Sequence, residues 1–205
     1  MGPDGPLVDS CGMRVFETVV SRFFPIAFRA DDGADGFDLW RLPNDPDSPH
    51  VGAMRDLFLD TFKMPPEKFD AFIEPEAGIH RRLIVAARKQ IICGGILYQM
   101  ADNFGKTAEH QIDGGYISYI ATSKKFRAQG ADRALLALAD ADFIVNHHTV
   151  SRLIRLDPRH TAFFEAAGYQ RTDGGGYGDM HKILDLSAES WSAAQKALDG
   201  LLTLY

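Results

Sequence analysis

The sequence predicts a mixed α/β fold, a sheet flanked by helices, and three observations predict it. Residues 116–122 (YISYIAT) alternate and carry aromatic and β-branched side chains, as a strand does. Just beyond them, from Gly130, the apolar positions Ala131, Leu135, Leu136, Leu138 and Ala139 fall at helical spacing. Residues 82–88 and 91–100 are apolar runs on either side of Lys89-Gln90, the pattern of a hairpin. The implied order is two helices, a hairpin, and then β-α-β-α-β-β.

The first dozen residues are rich in Gly, Pro and Asp and are expected to be a flexible segment, 1–12, ahead of a single domain, 13–205. Val15, Phe16, Val19, Val20, Phe23 and Phe24 repeat with helical spacing until Pro25, although a strand over 14–20 fits the same stretch. Residues 31–36 form a turn and 37–42 a first strand. Ser48-Pro49 supplies an N-cap and then the residue best tolerated at the first helical position, so a helix runs to about Phe62. Pro65-Pro66 breaks it, and a shorter helix covers 67–73. Gly94-Gly95 inside the second hairpin arm marks a bulge or a close approach. Residues 101–115 are a polar loop of the length that borders a site. Later come a strand at 151–156, a short helix at 159–167 and a final hairpin of 169–172 and 181–186. Ser187 caps a last helix reaching about Leu202.

At 205 residues the chain suits one domain with a sizeable core, and 45% hydrophobic with 24% charged residues is ordinary for a globular protein. A formal charge of −6 disfavours nucleic acid as a partner, although a basic patch remains around 124–133. Cys11 and Cys93 are too few and too separated for a disulfide framework or a metal site, and Cys93 sits in an apolar run that reads as core. His50 and His80 have no partner at ligand spacing, and His147-His148 suits the C-terminal end of the long helix, so no metal site is expected. No apolar run approaches the roughly 20 residues of a membrane span. The N-terminus resembles neither a signal peptide nor a myristoylation site, so the expected location is the cytoplasm.

The stretch 116–136 concentrates the chemistry. A strand that feeds a basic, Gly-containing turn and then opens a helix is built to hold an anion. The first N–H groups of a helix lack partners within it, and its dipole adds positive charge at that end. Lys125 and Arg127 contribute full charges, and Gly130 allows close approach.

The run Arg127-Ala-Gln-Gly130-Ala-Asp132 followed by an apolar helix resembles the pyrophosphate loop of the GNAT (general N-acetyltransferase) superfamily, Arg/Gln-x-x-Gly-x-Gly/Ala. Residues 161–169, TAFFEAAGY, resemble that family's later aromatic-Glu-x-x-Gly-aromatic segment, and the likeness extends over about 83–184. It implies a GNAT-like fold: a strongly twisted mixed sheet with splayed central strands, flanked by helices, here with extra N- and C-terminal elements. It also implies acetyl-CoA, or another acyl-CoA, as cofactor. Its pantetheine arm would lie along the backbone of Ile120, Ala121 and Thr122, and its pyrophosphate on Arg127, Ala128, Gln129, Gly130, Ala131, Asp132 and Arg133.

Two positions depart from the family pattern. Asp132 stands where Gly or Ala is usual, and two unit charges about 4 Å apart repel by roughly 4 kcal/mol at an effective dielectric near 20. An outward side chain, or pairing with Arg133, would relieve this. Phe164 stands where many members have the Tyr that protonates the leaving thiolate, and a phenyl ring donates nothing. By the resemblance its ring borders the thioester end of the cleft. Tyr116, Tyr119 and His160 are the alternative donors, and Glu109, His110 and Asp113 are candidates for the base. The implied function is N-acyl transfer, foremost acetyl transfer, to a primary amine of a small molecule or peptide, with catalytic candidates Tyr119, Tyr116 and His110. A homodimer is compatible with it. Two alternatives stay open: a non-catalytic acyl-CoA-binding regulatory module, and an acyltransferase served by an acyl-carrier-protein thioester.

Overall fold

The structure is a computed structural model that describes residues 37–74, 79–88, 91–101, 114–153, 157–172 and 178–203. The expected N-terminal helix, the Lys89-Gln90 turn, the loop carrying Glu109, His110 and Asp113, and residues 173–177 of the last hairpin lie outside the described residues.

Among the described residues, eight strands form one sheet in the order β6-β7-β5-β4-β3-β2-β1-β8. They are β1 (Asp38–Leu42), β2 (Ile79–Arg88), β3 (Ile91–Ala101), β4 (Gly115–Thr122), β5 (Val150–Leu153), β6 (Gln170–Arg171), β7 (Met180–Ile183) and β8 (Leu202–Thr203). The pairs β4/β5 and β1/β8 are parallel and the other neighbours antiparallel, which makes the sheet mixed, as expected. The helices are α1 (Pro49–Phe62), α2 (Pro66–Ile73), α3 (Ala131–Val145), α4 (Thr161–Ala166) and α5 (Ala188–Leu198).

Alternation along β2 divides the core. Leu83, Val85 and Ala87 point to one face, where they join Val51, Met54 and Phe58 of α1 and Phe69 and Ile73 of α2. Ile84 and Ala86 point to the other, where they meet Leu135, Leu138, Ala139 and Phe143 of α3. Each fully buried Leu, Phe or Met here contributes about 1.5–3 kcal/mol of transfer free energy. Gly94 and Gly95 explain themselves by this sandwich. A Cβ on Gly94 would stand 3.0 Å from the Ala121 carbonyl and 3.2 Å from Leu135, and one on Gly95 would stand 3.0 Å from Met54 and Phe58. The expected bulge is adjacent, since Ala86 pairs with Gly94 but Ala87 with Ile92, leaving Cys93 as the extra residue. At Gly115 a Cβ would fall 2.0 Å from the Phe143 ring, so only glycine lets α3 close on the start of β4.

Two buried carboxylates on α3 reach opposite parts of the sheet. Asp142 accepts from the Tyr98 hydroxyl at 2.7 Å and lies 3.6 Å from Arg41 and 3.7 Å from Arg82, on β3, β1 and β2. Asp140 accepts from Tyr169 at 2.8 Å and from Lys182 on β7 at 2.8 Å, and the Tyr169 hydroxyl also bonds Ser151 of β5 at 2.6 Å. Burial first, and then the neighbouring carboxylate charge, push both phenols well above the usual tyrosine range.

Several expectations are corrected. Ser48 does occupy the N-cap of α1, but its side chain makes no cap bond, and its carbonyl accepts from Gly52 N at 2.9 Å. Ser187 does cap α5 through its side chain, accepting from Ser190 N at 3.3 Å. That helix stops at Leu198 rather than near Leu202: the chain turns at Gly200, and Leu202 pairs beside Trp40, covering the open edge of β1. The helix expected over 159–167 is a 3-10 turn, Pro158–His160, followed by α4. His147 and His148 lie just past the end of α3, where His147 takes φ 61° and His148 meets the Phe143 ring edge-on.

Candidate active site

The site is organised by an irregularity in β4. Its pairing with β3 runs Leu97↔Tyr119 and then Tyr98↔Ile117, so Ser118 is an extra residue that bends the strand. On its other side β4 pairs with β5 only from Gly115↔Ser151 to Ile117↔Leu153. Among the described residues, the backbone of Tyr119–Thr122 is therefore paired on the β3 side alone, and Ser118 on neither; residues 154–156, which follow β5, lie outside them. Backbone donors and acceptors on such an edge are available to a ligand.

The open edge runs directly into the basic loop. Ser123 N donates to the Cys93 carbonyl at 2.8 Å, and the 3-10 turn Lys124–Phe126 plants the Phe126 ring in the core. Burial pushes the Cys93 thiol up to about 11, so this cysteine is an inert part of the floor. Lys124, Lys125, Arg127 and Arg133 are exposed. Ala128 takes φ 59°, and Gly130, the residue preceding α3, takes φ 90°. Gln129 braces the turn, donating to the Lys125 carbonyl at 3.1 Å and accepting from Arg88 at 2.8 Å. Asp132 folds back on its own helix, its Oδ1 accepting from Arg133 N at 3.0 Å.

The candidate side chains divide by face. Tyr119 and Ala121 join the α1/α2 core, whereas Ile120 packs on the α3 side. Tyr119 is held by rings, with centroids 5.3 Å from Phe62, 5.8 Å from Phe72 and 6.2 Å from Phe58. Tyr116 pairs with Gln99 and Arg152, and burial raises its hydroxyl above the usual tyrosine range against the opposing effect of Arg152. Thr122 Oγ1, where the strand enters the loop, is buried and has no hydrogen-bond partner among the described residues. Phe164 is 2% exposed and packs on Phe163 and Tyr169 at 4.9 and 5.7 Å. His160 is exposed at the start of α4, and His110 lies outside the described residues. Sequence reading passed over Arg88 and Arg152; the second could have been flagged as a lone charge inside the strand Val-Ser-Arg-Leu.

The fold is GNAT-like. The GCN5 protein of Tetrahymena superposes with a TM-score of 0.56 at 16% identity, over 74% of this chain and 98% of that one. The ribosomal-protein-S18-alanine N-acetyltransferase of Escherichia coli gives 0.54 at 14%, over 75% and 97%. A histone acetyltransferase HPA2-related acetyltransferase of Corynebacterium glutamicum gives 0.51 at 19%, over 74% and 99%. At these identities the likeness is one of fold. No protein-family profile and no curated protein sequence matches the chain.

Proposed function

We propose that this protein is an acyl-CoA-dependent N-acyltransferase, foremost an acetyltransferase acting on a primary amine. The observation that carries the reading is the continuity of the open β4 edge, Ser118–Thr122, with the basic loop at the start of α3. The residues fit the cofactor. The orphaned Thr122 hydroxyl would gain a partner, Gly130 leaves room for a phosphate, and Arg127 and Arg133 are exposed to meet its charge. Asp132, bonded to Arg133 N, has its charge drawn back onto the helix end it would otherwise present bare.

Bound acyl-CoA supplies an acyl group activated as a thioester. The chain's part is to hold the carbonyl against N–H groups of the β4 edge, which stabilise negative charge as it develops on the oxygen. The amine forms the new C–N bond as the C–S bond breaks. Tyr119, braced by three rings, is the candidate that gives a proton to the sulfur. Tyr116, kept protonated by burial, can donate to the acceptor but is a poor base, so the base is sought in the loop before β4, with His110 the first candidate beside Glu109 and Asp113.

A second reading, a non-catalytic acyl-CoA-binding module, is favoured by one observation: the Phe164 ring belongs to the core. Calorimetry with acetyl-CoA, CoA and ATP, followed by a thiol-release assay over an amine panel, tests both. Tight CoA binding with amine-dependent thiol release supports the transferase, binding without release supports the module, and absence of CoA binding sinks both.

A further inference from the structure

A row of polar residues crosses the sheet in register beside Tyr119. Arg81 pairs with Gln99, Gln99 with Tyr116, Tyr116 with Arg152, Arg152 with His181, and His181 with Gln170. Directly paired residues share a face, and Arg81 and Gln99 lie two positions from Leu83 and Leu97, so the row faces the α1/α2 side. Phe72 of α2 stands between the row and the transfer site, touching Tyr119 at 5.8 Å and lying under Arg81 at 5.3 Å. No member of the row is acidic.

Arg152 is the exception among its kind. Five arginines have a buried Nε without a hydrogen bond among the described residues: Arg41, Arg55, Arg81, Arg82 and Arg152. Four of them are otherwise engaged. Arg41 and Arg82 lie beside Asp142, Arg55 is 3.0 Å from Asp70, and Arg81 donates to the Glu74 carbonyl. Arg152 has neither an ion pair nor a hydrogen bond among the described residues, and its charge is felt by the Tyr116 hydroxyl. A half-buried guanidinium that meets no counter-charge among the described residues is open to a ligand that supplies one, and a carboxylate matches its fork with two parallel bonds.

We propose that the acceptor amine carries a carboxylate, as an amino acid does, and that Arg152 binds that carboxylate. The inference rests on the N-acyltransferase reading for the amine and on the row itself for the carboxylate. The overall charge of −6 does not oppose it, because screening limits distant charges to within about 10 Å while Arg152 acts by contact.

The test measures equilibrium binding of a panel of amino acids and their carboxamides to the whole protein saturated with CoA, and to Arg152→Gln and Arg152→Lys. The expected result is at least ~10-fold tighter binding of acids than amides, consistent with a charge-assisted bond. That preference should vanish in Arg152→Gln and be partly kept in Arg152→Lys. Equal binding of acids and amides, no binding of either, or a preference that survives Arg152→Gln overturns the proposal. Thiol release is measured separately: a carboxylate preference without turnover would remove the transferase reading and leave the carboxylate site standing.

Discussion

Arg88, at the end of β2, donates to Gln129 Oε1 at 2.8 Å, so the loop before α3 is tied to a strand two places away in the sheet. Gln129→Ala should cut this brace and weaken CoA binding a few-fold by loosening the turn. Arg127→Ala should cost about 1–3 kcal/mol, the range for a charge-assisted hydrogen bond. Gly130→Val should cost more, since φ 90° is a conformation that β-branched residues essentially never adopt. Titration calorimetry with CoA checks the order, and unchanged affinity in all three variants would place the phosphate elsewhere.

Asp132→Gly separates two effects. Removing the carboxylate frees Arg133 N, which Asp132 now occupies, so CoA should bind more tightly. The helix loses a favourable acidic residue in its first turn, and stability should fall by about 0.3–1 kcal/mol. Weaker CoA binding would show that the carboxylate shapes the loop rather than opposing the ligand.

Phe164→Tyr tests the missing phenol. Because Phe164 is buried against Phe163 and Tyr169, a new hydroxyl there would lack a partner and cost about 1–3 kcal/mol of stability, with no gain in turnover. A rise in kcat without loss of stability would mean that the ring reaches the cleft. Tyr119→Phe is the counterpart, and a fall confined to kcat would assign the proton donor to Tyr119.

Cys93 gives a pH signature. Its thiol is raised by burial from 9.0 to about 11, so the folded state holds the proton over a range where the unfolded chain loses it. This contribution to stability is fully present below pH 9 and is lost as pH rises toward 11. Urea unfolding of the parent and of Cys93→Ala across this range should converge as pH rises, and parallel curves would refute the assignment.

The elements were legible where period and punctuation agreed, as in α1, framed by Pro49 at its start and Pro65-Pro66 beyond its end. The turn between β4 and α3 was legible because its charges and its glycine are local in sequence. What escaped depends on register. Nothing in Arg152 or Tyr116 alone says that they are paired, and the Ser118 bulge that sets Tyr116 and Tyr119 on one face is invisible without β3. The end of α5 escaped for a related reason: Leu201 and Leu202 continue a helical apolar pattern, but the open edge of β1 takes Leu202. For Phe164 the motif gave the position on α4, while its packing on Phe163 and Tyr169 is visible only in the structure.

The two carboxylates of α3 make that helix a crossbar. Asp142 is bolted to the β1–β3 half of the sheet and Asp140 to the β5–β7 half, two residues apart on one rigid rod. Widening the gap beside β4 would have to tear one of these sets from its partners in a buried setting, where breaking an ion pair costs about 3–5 kcal/mol. A rod pinned at both ends in this way keeps the two halves of the sheet at one spacing.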